Sequence, residues 1–159
     1  MLHKIMNKIK AKGKYRILVY KAGTDELLKT TDWISNLIVL NTNSGLNLVA
    51  KHLIGDDTYS LEITKAKMGD DDTAPADADT DLGNTVVNDI LWASREESSV
   101  GVVLFQFFVA DSEMPDQDYK EFGIFCGDRL FARSIITPTF TKSSGQDIRV
   151  EYQITLTNS

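Results

Sequence analysis

Apolar and polar residues alternate most cleanly near the end of the chain. Ile148, Val150, Tyr152, Ile154 and Leu156 fall on one face, and Arg149, Glu151, Gln153, Thr155 and Thr157 on the other. That period of two predicts a half-buried strand. The strongest β signal lies at residues 102–109: Val103, Phe105, Phe107 and Val109 share one face while Val102, Leu104 and Phe108 share the other, which predicts a strand buried on both sides at the centre of the fold. Further strands are predicted at residues 15–20, 27–31, 34–40 and 61–68, and the Gly and Asp of residues 21–26 supply a turn between the first two. Residues 122–126 and 130–136 are joined by Gly127-Asp-Arg, a connection short enough for a hairpin.

The period changes after Asn41. Leu46, Val49, Ala50 and Leu53 recur at helical spacing, with Asn43 or Ser44 as N-cap and Gly55 to close the far end. Residues 69–81 and 111–118 are polar loops, and residues 81–93 read as a second short helix or an irregular crossing. Leu2, Ile5, Met6 and Ile9 sit at three- and four-residue spacings among lysines, so the first ten residues form either a short amphipathic helix or a loose arm. The assignment is a mainly β chain, an antiparallel β-sandwich with one or two short helices and a basic N-terminal arm. The arm is placed at residues 1–14 and a single domain at residues 15–159. Removing residues 1–12 is accordingly expected to leave the domain folded and to weaken assembly.

A length of 159 residues suits one domain, since domains run to roughly 100–200 residues. No apolar run approaches the roughly 18–20 residues of a membrane span, and the lysines of the first segment interrupt any apolar core of a signal peptide. The charge is uneven. Lys4, Lys8, Lys10, Lys12, Lys14, Arg16 and Lys21 are seven of the 17 basic residues, and no acid precedes Asp25. From residue 22 onward ten basic residues face all 23 acidic ones, a balance of −13. An acidic body disfavours nucleic-acid binding by the main domain, because phosphate neutralisation needs clustered Lys and Arg.

Several phrases follow one another along the chain: Met68-Gly-Asp-Asp-Asp-Thr-Ala-Pro, Asp81-Leu-Gly, Glu121-Phe-Gly-Ile-Phe, Leu130-Phe-Ala-Arg-Ser and Val150-Glu-Tyr-Gln-Ile-Thr-Leu. With Asn36-Leu-Ile-Val-Leu-Asn and Ser44-Gly-Leu before them, they resemble a tailed-bacteriophage virion module of tail, baseplate and fibre-attachment proteins. The resemblance runs from about Tyr15 to the C-terminus. It implies a virion structural protein, built in the host cytoplasm, that forms a homo-oligomer, a trimer by analogy with fibre attachment, and contacts other phage virion proteins. Capsid decoration or a head-fibre base is the alternative role, and a carbohydrate-binding receptor-recognition module that meets host surface glycan is another.

Glu121, Gly123, Arg133 and Tyr152 carry the resemblance most directly and read as structural, while Ile5 and Ile9 are candidate contacts of the arm. Gly123 within a strand signals a bulge or a close approach. Glu121 and Arg133 on adjacent strands suit a cross-strand ion pair worth ~0–1 kcal/mol if exposed.

Other chemistry is thin. Asp77, Asp79 and Asp81 imitate the opening of a Ca²⁺ loop, but Leu82 stands at its glycine position and Asn88 where a bidentate Glu belongs, so a solvated loop is the simpler reading and no cofactor is assigned. The histidines are His3 and His52, and Cys126 is the single cysteine, which precludes an internal disulfide. Cys126 with His52, Glu96 with Glu97, and Glu121 with Glu151 are conceivable catalytic pairs that no sequence context selects. The reading is therefore of a building block and not an enzyme. Trp33 and Trp92 are expected in the core or an interface, with sugar stacking as the other use.

Overall fold

The computed structural model describes residues 9–158. Eleven strands appear: β1 (Ile9–Lys21), β2 (Leu27–Thr30), β3 (Ile34–Ile38), β4 (Leu40–Asn41), β5 (Ser44–Gly45), β6 (Lys65–Gly69), β7 (Thr85–Ser99), β8 (Val102–Val109), β9 (Asp118–Cys126), β10 (Arg129–Thr141) and β11 (Gln146–Asn158). One helix, α1 (Leu46–Leu53), and a 3-10 turn at Asp111–Glu113 complete the described residues. No helix among them is long and apolar enough to cross a membrane.

The chain is mainly β and antiparallel, as the alternation predicts, but the sheet closes on itself instead of splitting into two packed layers. Strands run in the order β11-β8-β7-β6-β9-β10-β3-β1, and β1 returns to β11 to give an eight-stranded barrel. The closing seam extends from Ile9 opposite Asn158 to Lys21 opposite Gln146. β2 adds to β1 beyond β3, and β4 and β5 form a separate small hairpin.

The seam corrects the expected arm. Residues 9–14 belong to β1, and Ile9 starts the strand with its side chain exposed. Met1 to Lys8, including Ile5, lie outside the described residues. This half of β1 escapes hydrophobic pattern reading because its inward positions are the small residues Ala11 and Gly13. Gly13 is required there, since a Cβ would collide with the Asn36 side chain and the Tyr152 hydroxyl. Asn36 Nδ2 donates to that hydroxyl.

The second helix expected at residues 81–93 is instead the start of β7. Val87 pairs with Met68 and Ile90 with Ala66, so two residues on β7, Asn88 and Asp89, stand against the single Lys67 on β6. This bulge puts Val87 and Ile90 on one buried face at a spacing that imitates a helix turn. β8 is likewise not buried on both sides: Phe107 and Val109 enter the core, whereas Phe108 on the outer wall is 37% exposed. α1 begins where expected, though Gly45, at φ 60°, occupies the cap position instead of Asn43 or Ser44. Only glycine fits, since any Cβ would strike the Val39 carbonyl. At the other end Gly55 has φ 79° and its N–H donates to the His52 carbonyl.

An eight-stranded barrel is just wide enough for side chains to fill. Tyr15, Phe107, Phe122 and Tyr152 fill this one, with ring centroids 4.5 Å apart for Tyr15 and Phe122 and 6.1 Å for Phe122 and Tyr152. Such pairs contribute about 0.5–1.5 kcal/mol each beyond area burial. The Tyr15 hydroxyl meets Ser134 Oγ at 2.5 Å, which ties β1 to β10. Burial pushes both the Tyr15 and Tyr152 phenols well above their ordinary value, so they serve as neutral hydrogen-bonding groups. α1 lies against one end, with Leu48 in the core and Leu46 and Val49 lining an apolar groove with Phe105, Phe131 and Ile154.

Candidate functional site: a buried arginine clamp

β9 and β10 place Arg133 directly opposite Gly123, two register positions from Glu121 opposite Ile135. Glu121, Gly123 and Phe125 face outward from β9, because Phe122 and Ile124 take the core side. An outward face would normally be wet. Here the segment between β6 and β7 folds over it: Leu82 covers Gly123 and joins Val39, Phe125 and Leu130 in a second apolar cluster. Gly123 is thus a close approach and not a bulge.

Beneath that cover Arg133 is 2% exposed and Glu121 is fully buried. Arg133 Nη2 and Nε donate to Glu121 Oε2 at 2.9 and 3.1 Å. Nη1 donates to Asp79 Oδ2 at 2.9 Å, and Nη2 to the Thr73 carbonyl at 2.9 Å. Glu121 in turn accepts the backbone N–H groups of Gly83, at 2.9 Å, and Asn84, at 2.7 Å, where the chain enters β7. Burial by itself lowers the guanidinium pKa, but the carboxylates of Glu121 and Asp79 more than offset it and raise it above its ordinary value. This is the cross-strand pair expected from sequence, buried instead of exposed. Removing one partner of such a pair costs about 3–5 kcal/mol, far above the expected surface value.

The clamp also accounts for the aspartates. Asp79 accepts from Arg133 and from the Ala76 N–H. Asp81 accepts from Lys67 Nζ at 3.2 Å and from the Leu82 N–H. The Asp77 and Asp79 carbonyls both receive the Asn41 amide. The Asp71 carboxyl is held below its ordinary range by the Thr73 hydroxyl and N–H, and further by Arg133. Three of His, Cys, Asp or Glu do not converge in a metal-holding arrangement anywhere among the described residues.

The remaining candidates make no hydrogen bond or ion pair with one another among the described residues. His52 Nε2 meets the Tyr59 carbonyl at 2.8 Å, while the Cys126 thiol, buried and pushed up to about 12 by burial and by Glu62, lies against the Leu61 carbonyl. Glu151 pairs with Arg16 at 2.7 Å, away from the clamped Glu121. Glu96 and Glu97 stand exposed on the outer half of β7. Neither tryptophan is core: Trp33 is 40% and Trp92 36% exposed, with Lys14 and Arg16 over the first ring and Arg95 over the second. Tyr152 lies inside the barrel, remote in role from Arg133.

Sequence reasoning missed a second buried ion cluster. Lys142 is fully buried, and its Nζ meets Asp111 Oδ1 at 2.5 Å and Asp116 Oδ1 at 2.6 Å. Asp111 Oδ1 also accepts the Gly145 and Gln146 N–H groups, and Asp147 accepts those of Gly23 and Asp111. Three loops at one barrel end are tied together in this way. The only advance signal was a lysine between Thr141 and Ser143 at a strand end, which nothing distinguishes from a solvated one. No family model, curated protein or solved structure matches the chain.

Proposed function

We propose that the chain is a virion structural protein of a tailed bacteriophage, a tail, baseplate or fibre-adaptor component that assembles as a homo-oligomer and holds host-attachment parts. One observation carries this reading. Three stretches that are far apart in sequence meet at the clamp: Thr73, Asp79, Leu82 and Gly83 of the loop between β6 and β7, Glu121 and Gly123 of β9, and Arg133 of β10. Their functional groups are consumed in holding a loop to a barrel wall, which is the work of architecture. A rigid barrel whose loops are pinned by internal ion pairs suits a part that must keep its shape while load passes through it. The resemblance to phage tail modules supplies the setting, and the trimeric state follows by analogy with fibre attachment. Immunogold electron microscopy of purified particles tests this: label on the tail or its fibre bases supports it, and particles without label overturn it.

A further inference from the structure

Ala11, Tyr15, Ile17 and Val19 turn one face of β1 to the barrel interior, so Lys10, Lys12, Lys14 and Arg16 stand in single file on the outer wall. Alternate residues of a strand are about 6.8 Å apart. Beside this file run Gln153, Thr155 and Thr157 of β11 and Ser35 of β3, which with the lysines line a polar groove of about 450 Å³. Arg16 is neutralised by Glu151. Lys14 rests on the Trp33 ring. Lys10, Lys12 and Lys14 have no carboxylate partner among the described residues, and Lys10 and Lys12 are exposed.

We propose that this groove is the seat for the Asp-rich loop of a second copy of the chain. The loop has the complementary charge and the required rigidity. Asp70 is bound to Asn84, Asp71 and Asp79 lie at Arg133, and Asp81 is bound to Lys67. Asp72, 77% exposed and no nearer than 4.0 Å to the half-exposed Lys120, and the exposed Asp77 are left outward. Because the clamp already orders this loop, docking it carries little conformational cost. Within one copy the match is not made: the loop lies over β9 and β10, β3 separates that wall from β1, and no loop carboxylate pairs with a β1 lysine. Two different patches of the same chain therefore meet head to tail, the geometry that closes into rings. A nucleic-acid strand is the less favoured occupant, since the three unpaired cations of this groove among the described residues, on a chain of net charge −6, offer it little counterion release. The inference rests on the assembly reading above only in taking the occupant to be a second copy.

Sedimentation velocity of the full chain tests it at 50 and 500 mM NaCl, with K10E/K12E and D72K/D77K alongside. Thermal melts check that these outward-facing variants are folded. Association is expected to weaken at least tenfold at high salt and in each variant, and an equimolar mixture of the two reversed variants is expected to re-associate. A wild-type monomer, association indifferent to salt and to both reversals, or no rescue on mixing would overturn it. Binding of a fluorescent oligothymidine lost in K10E/K12E, with association unchanged, would assign the groove to nucleic acid and overturn it too. None of these outcomes alters whether the chain is found on particles.

Discussion

Leu82 rests on Gly123: a Cβ at position 123 would meet Leu82 Cδ2 at 2.8 Å and the Ala132 carbonyl oxygen at 3.2 Å. Gly123→Ala is therefore expected to lift the Asp-rich loop and cost about 1–3 kcal/mol, the usual range for overpacking. Leu82→Ala makes room for the added methyl. The double variant should thus be less destabilised than the sum of the two singles by at least ~0.5 kcal/mol in urea unfolding. Simple additivity would show that the two residues do not press on each other.

Arg133 and Glu121 should behave as a buried pair. Arg133→Met leaves the Glu121 carboxylate buried with backbone donors alone and should cost about 3–5 kcal/mol. Replacing both, as R133M/E121M, should recover part of that loss, because no charge is then stranded. Equilibrium urea unfolding at pH 7 measures both. A loss below ~1 kcal/mol for R133M would place the pair among ordinary surface bridges.

Acid stability should follow Asp111. Hydrogen bonds from the Lys142 ammonium and then from the Gln146 N–H hold its carboxyl below the ordinary 3.8. The unfolded chain takes up that proton first as the pH falls, so the stabilisation is complete above about pH 4 and is lost as the pH drops through the lower folded value. Asp71 acts in the same direction. Lys142 has the opposite sign: burial lowers its pKa, but Asp111 and Asp116 outweigh burial and raise it above 10.5, so its contribution is lost only in strong alkali above that value. Asp111→Asn should start from a lower urea midpoint at pH 7 and fall less steeply below about pH 4. A variant curve parallel to the wild type would remove Asp111 from the acid transition.

Deleting residues 1–12 should now harm the barrel itself. It removes the seam from Ile9 opposite Asn158 to Lys12 opposite Thr155 and uncovers the Ala11 side of the apolar groove. With backbone hydrogen bonds worth about 0.5–1.5 kcal/mol each, a loss of roughly 2–4 kcal/mol is expected in urea unfolding. Unchanged stability would mean that the seam begins no earlier than Gly13.

Most strands were legible because their inward residues are large and alternate, as in β11. The closure was not, since β1 presents Ala11 and Gly13 inward and lysines outward, a pattern that hides a strand inside a basic segment. β7 was hidden by its bulge, which spaces Val87 and Ile90 like a helix. At the clamp, Glu121, Gly123 and Arg133 were visible as residues, and even their pairing followed from adjacent strands. Their burial was not visible, because it depends on Leu82 and Thr73 arriving from a loop 38 to 60 residues away in sequence. Local pattern carries no information about such a cover.

The copy number of this chain in purified particles, by quantitative mass spectrometry normalised to the major capsid protein, tests the central claim most directly. A ratio of a few to a few tens per particle is the predicted result for a tail or fibre-adaptor component. Hundreds of copies would make it a capsid decoration instead, and absence from the particles would contradict the virion assignment altogether.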